Sequence, residues 1–255
     1  MTTSASTSPP ALLTPTALAN WLALTQRGAP IDNFILNPGA DLPVPVRRWL
    51  DHTLPANPGT PVSVELWMHG RIKLGRWMRF EARQILAPTA GFCWAARVHG
   101  PAGIRIAGFD RLGSGVGEMR WRLFGVLPLI NAAGPDVSRS AAGRLAGEFV
   151  MMPTFALHPS VVWEAVDDHS ARAHLVVAGH PHVVTVVVGP GGALTSVSLP
   201  RWGNPGGGAF REHRFTACFE DEKALGDHLV PARISAGWEG AGVFIRYGID
   251  RASYR

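Results

Sequence analysis

From residue 62 to residue 250 the sequence is a succession of short segments in which apolar and polar residues alternate, separated by Gly, Pro, Asn and Asp. In VSVELWM, Val62, Val64, Leu66 and Met68 alternate with Ser63, Glu65 and Trp67, the period-two pattern of a strand with one buried face. The same texture recurs in RWMRFEARQIL, FCWAARV, IRIAGFD, EMRWRLFGVLPLI, VVWEAV, RAHLVV, HVVTVVVG, ALTSVSL, FREHRFTACF, VPARISAGW and VFIRYGI. About a dozen strands at short spacing imply an antiparallel meander. That many strands exceed what a flat sheet holds without curling. The expected fold class is mainly β: a strongly curved antiparallel sheet, a half-barrel or incomplete barrel, with a few helices. A two-sheet sandwich is the alternative packing.

The pattern also divides the chain. Residues 1–14, rich in Ser, Thr and Pro, read as a disordered leader. Residues 15–58 read as a helical segment. In it Leu18, Trp21, Leu22 and Thr25 recur at helical spacing, with Thr14 or Thr16 as cap and Gly28 as stop, and a second short helix spans Val46 to Leu54. Residues 59–255 read as a single antiparallel β domain interrupted by one helix near 135–152, packed on or across the sheet. Gly134 and Pro135 open that helix and Pro153 ends it. Gly189 to Gly192 supply the turn of the clearest hairpin.

Composition narrows the function classes. With 46% hydrophobic and 17% charged residues, the chain has ample material for a core. The net charge is +5, but the only lysines are Lys73 and Lys223, and the arginines are scattered without a basic block. A nucleic-acid partner is therefore not expected. Cys93 and Cys218 stand far apart and are expected as two free, buried thiols. MTTSASTSPP has neither an early basic residue nor a following apolar run, so no secretory signal or transmembrane segment is expected and the expected location is cytoplasmic.

In the helix near 135–152, Val137, Ala141, Leu145 and Phe149 form one stripe and Ser140, Arg144 and Glu148 its neighbour. Arg144 and Glu148 either pair on the solvent side or line the entrance of a cavity. In RWMRFEAR, Met78, Phe80 and Ala82 share one face, opposite Trp77, Arg79, Glu81 and Arg83, which read as a solvent-facing ladder. Arg97 shares its face with Cys93 and Ala95, which points to a buried carboxylate or ligand anion as its partner or to an exposed tip. His180 and His182 lie two apart, but Pro181 intervenes and no third spaced ligand follows, so no metal is expected. FDRLGSGVGE joins two strands, lacks the GK[ST] ending of a phosphate loop and does not set Ser114 in a nucleophile elbow. No cofactor is expected. Asp110, Glu118, Glu148, Glu164, Asp167 and Asp168 remain as carboxylates for acid or base work. WEAVDDHSARA reads as a strand with Trp163 inward and an Asp-rich turn.

The runs LPVPVRRWL, MHGRIKLGRWMRFEARQILAPTAGFCWAARV, GEMRWRLFGVLPLINAAGPDVSRSAAGRLAGEFVMMPTFALHP, VVWEAVDD and RWGNPGG resemble a bacterial family of uncharacterised proteins, over roughly residues 42 to 250. The resemblance marks His69, Arg97, Asp110, Arg139, Ser140, Arg144, Glu148, Trp163, Glu164, Asp168, Arg201 and Trp202 as recurring polar positions. The expected shape is similar to the half-barrel carriers of lipid acyl chains, such as the lipoprotein localisation factors. The leading expectation is a protein that binds a hydrophobic or lipid-like molecule in an apolar cavity. Arg97, Arg139, Arg144 and Glu148 would be its polar contacts, and Trp94, Trp121 and Trp163 part of its wall. The alternative is a cofactor-independent isomerase, cyclase or hydrolase using Glu148 or Asp110. A third possibility is a purely structural partner protein.

Overall fold

The computed structural model describes residues 8–26 and 42–255. Gly28 and residues 1–7 of the expected leader lie outside the described residues. Among the described residues, thirteen antiparallel strands form one sheet. Six precede the long helix: β1 Val64–Leu74, β2 Arg76–Ala87, β3 Gly91–His99, β4 Arg105–Gly113, β5 Val116–Leu123 and β6 Leu127–Ala133. Seven follow it: β7 Val162–Ala165, β8 Ser170–Val177, β9 His180–Val188, β10 Leu194–Gly203, β11 Arg211–Leu225, β12 His228–Trp238 and β13 Gly242–Tyr254.

The order across the sheet is β6, β5, β4, β3, β2, β1, β13, β12, β11, β10, β9, β8, β7. The chain thus meanders outward from β1 to β6, crosses over, and meanders back until β13 pairs with β1 at the centre. The sheet is not closed, and β6 and β7 are its edges. The crossing element is α3, Pro135–Glu148, followed by short 3-10 helices at Phe149–Met151 and Pro153–Leu157. It touches β3, β4, β5 and β6 on one flank and β8, β9 and β10 on the other, so the sheet curves around it. Leu145, Ala146 and Phe149 are buried there. Truncating a fully buried Phe such as Phe149 to Ala costs about 3–5 kcal/mol, so this contact is a principal tie between helix and sheet.

Small residues set how close α3 comes. A Cβ on Gly143 would lie 2.9 Å from Cγ of Arg201, and one on Gly117 would lie 2.7 Å from the Val137 carbonyl oxygen. The two short N-terminal helices take opposite faces. α1, Pro15–Thr25, is capped by Thr14, whose hydroxyl accepts from the Ala17 N–H at 3.3 Å. It packs Trp21 and Leu24 on Ile85, Ala87 and Cys93, and Ala17 on Ala95 and Phe109, all on the convex face. α2, Val44–Thr53, adds Val46, Trp49 and Leu50 to the main core with α3 and the concave face.

Three expectations change. EMRWRLFGVLPLI is two strands, β5 and β6, because Phe124 and Gly125 turn the chain at φ values of 52° and 76°. Residues 8–14 are not a loose leader: Leu12 and Leu13 pack on the convex-face clusters, and the Ser8 carbonyl accepts from Arg83. Cys93 is free and buried, but Cys218 is exposed, because Ala217 and Phe219 take the inward positions of β11. Glu65, on the polar side of β1, is buried on the convex face and pairs with Arg83 and with Arg255 at 2.6 Å.

Candidate functional site

Strand alternation assigns the walls of the concave side. Met68 and Ile72 of β1, Trp94 and Val98 of β3, Ile106 and Asp110 of β4 and Met119 and Trp121 of β5 all point inward. With Phe219, Ile234 and Ala236 from β11 and β12 and one face of α3, they enclose a cavity of about 470 Å³, within the range of small-molecule sites. The most exposed of its lining residues are Leu74, Leu129 and Ile130, at 42%, 50% and 42%, so the mouth is apolar.

The charges lie along the α3 wall. Arg144 donates from Nε to Glu148 Oε1 at 2.9 Å, from Nη1 to Asp110 Oδ2 at 3.2 Å and from Nη2 to Gln84 Oε1 at 3.1 Å. Gln84 Nε2 donates to Glu148 Oε2 at 2.6 Å, and Trp121 Nε1 donates to Asp110 Oδ1 at 2.8 Å. The guanidinium of Arg144 also lies over the rings of Phe92 and Trp94, at 4.7 and 5.1 Å. Each of its three nitrogens thus donates one hydrogen bond within the protein.

Burial raises the Asp110 carboxyl above the usual carboxylate range, although Arg144 and the Trp121 hydrogen bond pull it down. Burial works against the charge of Arg144, but Glu148 and Asp110 outweigh it and hold its proton more firmly. Tyr247, also in the wall, is pushed up by burial and by the Glu148 carboxylate.

Arg201 of β10 differs from Arg144. Its Nε donates to the Ser140 carbonyl at 3.3 Å, and its guanidinium lies 4.9 Å from the ring centroids of both Phe215 and Trp238. Burial and the Arg144 charge bring its pKa down to about 10, so it is still a cation at neutral pH. Among the described residues it forms no ion pair with a carboxylate.

The structure therefore gathers Arg144, Glu148, Asp110, Trp94 and Trp121 in one cavity wall. They do not form its entrance, which Leu74, Leu129 and Ile130 occupy. Arg97 is corrected: it is exposed on the convex face, opposite Glu81, because it shares the side of β3 that α1 covers only as far as Cys93 and Ala95. Arg139 lies outside the cavity, paired with Glu212 at 2.9 Å and stacked 3.9 Å from the Trp202 ring. Trp163 is outside it too: its Nε1 donates to the Ala156 carbonyl at 2.9 Å and its ring lies 6.2 Å from Phe149.

The remaining carboxylates are elsewhere. Glu118 is buried with Arg111 at 2.7 Å and Arg120, Glu164 pairs with Arg172 and His174, each at 2.8 Å, and Asp167 caps the turn at His169 and Ser170. Gln84, Arg201 and Tyr247 were not among the expected site residues. Gln84 had a signal: it continues the inward series Met78, Phe80, Ala82, Gln84, Leu86 as its one polar member. Arg201 was marked through the family resemblance alone, and Tyr247 carried no signal.

Residues 37–247 match the family of unknown function DUF6544. The chain belongs to that family. No curated protein matches the sequence. Among solved structures, this DUF6544 chain is similar to a putative outer membrane lipoprotein-sorting protein domain from Vibrio parahaemolyticus, at 11% identity and a TM-score of 0.41, over 76% of this chain and 85% of that one. It is also similar to a LolA superfamily protein from Nitrosomonas europaea, at 10% identity and a TM-score of 0.44, over 83% and 92% of the two chains. A third is a DUF1329 family protein from Desulfovibrio piger, at 10% identity and a TM-score of 0.36, over 84% and 93%. The DUF6544 match supplies a family without a reaction, so function rests on the cavity itself.

Proposed function

We propose that this protein binds one hydrophobic molecule with an acidic head group in the concave-face cavity. The observation that carries this reading is Arg201, a shielded cation in an apolar wall with a backbone carbonyl as its hydrogen-bond acceptor. Removing a guanidinium from water is costly unless an anion compensates it. Arg144 is already paired with Asp110 and Glu148 and donates to Gln84, which leaves Arg201 to receive the head group. The tail lies along Ile106, Val98 and Ile72 toward the mouth at Leu74, Leu129 and Ile130. Each buried methylene contributes roughly 0.8 kcal/mol, so a chain of about ten supplies roughly 8 kcal/mol against the cost of association.

Calorimetric titration with dodecanoate and with dodecanol tests this. The wild-type chain is expected to take dodecanoate with one-to-one stoichiometry, and Arg201→Gln to weaken it at least about tenfold while leaving the alcohol unchanged. Equal affinity of the variant for the acid, or binding of neither compound by the wild type, would remove the reading.

A second reading, a cofactor-independent isomerase, cyclase or hydrolase, is favoured by one observation: the raised carboxyl of Asp110 within the cavity wall. Against it, Trp121 and Arg144 occupy both Asp110 oxygens, and Arg144 and Gln84 occupy both of Glu148. Recovery of the natural ligand chemically unchanged after long incubation with stoichiometric protein would count against this second reading.

A further inference from the structure

Arg246, Arg71, Arg79, His99 and Arg105 stand in register across five neighbouring strands, β13, β1, β2, β3 and β4. All are exposed on the convex face, since Ile72, Phe80, Val98 and Ile106 take the inward positions. Lys73 continues the series toward the β1–β2 turn, and Arg76, opposite Leu74, stands exposed at that turn on the other face. None of the arginines in this row, nor Lys73, is paired with a carboxylate among the described residues, where the arginine ion pairs use Arg83, Arg111, Arg120, Arg139, Arg144, Arg172, Arg233 and Arg255. Like charges directly opposite one another destabilise a sheet. The row therefore fits an external polyanion that relieves that repulsion.

What adjoins the row identifies the polyanion. The Phe124 N–H donates to the Arg105 carbonyl at 2.7 Å, so the β5–β6 turn begins where the cations end. That turn exposes Phe124 at 55%, Val126 at 71% and Leu127 at 56%. Phe124 holds a φ of 52°, a conformation that Gly or Asn adopts with less strain. A bulky apolar ring placed there, in water, is poorly explained by the turn alone. Leu74, beside Lys73 and Arg76, is exposed as well and also lines the cavity mouth with Leu129 and Ile130.

We propose that this end of the sheet docks on an anionic lipid bilayer. The arginine row meets head-group phosphates, the Phe124–Leu127 turn and Leu74 enter the acyl boundary, and the cavity mouth opens onto the membrane. A nucleic acid would answer the cations but leave the aliphatic turn unused.

The test is co-sedimentation of the full chain with vesicles of mixed phosphatidylglycerol and phosphatidylcholine, against pure phosphatidylcholine and duplex DNA. Binding to the anionic vesicles alone, weakening as salt rises, is expected. The double variant Arg71→Glu, Arg79→Glu is expected to lose at least about twentyfold, on a factor of roughly five for each cation near the surface. Phe124→Asn suits the turn, and is expected to keep the thermal melting temperature while lowering vesicle affinity severalfold. No binding to anionic vesicles, equal binding to neutral ones, retention by DNA alone, or wild-type binding by the double variant would each overturn the proposal. A chain that takes dodecanoate yet ignores vesicles would overturn docking and leave the cavity reading standing.

Discussion

Trp121 Nε1 donates to Asp110 Oδ1 at 2.8 Å from the neighbouring strand, and the bond favours the ionised carboxylate against the burial that opposes it. Removing the donor while keeping an aromatic ring shifts that balance. In Trp121→Phe, the Asp110 carboxyl is expected to titrate at a higher pH than in the wild type, read by carboxyl carbon NMR. An unchanged midpoint would show that this hydrogen bond does not set the charge of the cavity wall.

Acid should weaken the fold through His182. Burial, then the charges of His180, Arg139 and Arg201, lowers its pKa from 6.5 to about 4, and its Nε2 is buried without a partner. Between those values the unfolded chain binds more protons than the folded one, so stability rises with pH across the window and is lost as pH falls from about 6.5 to about 4. His158 and His228 are lowered in the same sense. Chemical denaturation at several pH values is expected to give a shallower acid dependence for His182→Gln, with part of the slope retained by the other two. Identical slopes would acquit His182.

Gly108 tests the register of the cavity wall. A Cβ there would fall 2.2 Å from the Arg120 carbonyl oxygen and 2.6 Å from the Trp121 ring, and the backbone oxygen cannot step aside. Gly108→Ala is expected to destabilise the protein by roughly 1–3 kcal/mol. Gly147→Ala, whose Cβ would meet a methyl of Leu199 at 3.3 Å, is expected to cost less. The two melting temperatures check the ranking, and the reverse order would mean that β4 and β5 are paired differently.

Filling the cavity should separate binding from folding. Ala217 and Ala236 face each other on β11 and β12, and both line the cavity. Ala236→Phe puts a ring into space the ligand tail is expected to use. Dodecanoate affinity is expected to drop at least about tenfold with the fold retained, since the ring fills a void instead of displacing packed atoms. Undiminished affinity would place the ligand elsewhere.

The strand pattern was legible because period-two alternation is a local property: Met78, Phe80 and Ala82 declare their face within one segment. The opening and closing of α3 were legible for the same reason, through Pro135 and Pro153. The turn at Phe124 was hidden because its chemistry is not that of a usual two-residue turn. The site was less legible, since it depends on what covers each face. Arg97 was expected as a ligand contact because its neighbours are small, yet that side is the convex one, where α1 covers Cys93 and Ala95 and leaves Arg97 exposed, outside the concave cavity. Arg144 and Glu148 allowed two orientations, and the curvature of the sheet around α3, set by contacts distant in sequence, turns them inward. Arg201 meets them from β10, more than fifty residues further on, a proximity no local pattern encodes.

The most direct measurement is a native mass spectrum of the protein purified from cells without detergent, beside its denatured spectrum. The account predicts a stoichiometric mass excess in the native spectrum that disappears on denaturation, and a released molecule with a long apolar part and an acidic group. A native mass equal to that of the bare chain, with no adduct after incubation with dodecanoate, would contradict it.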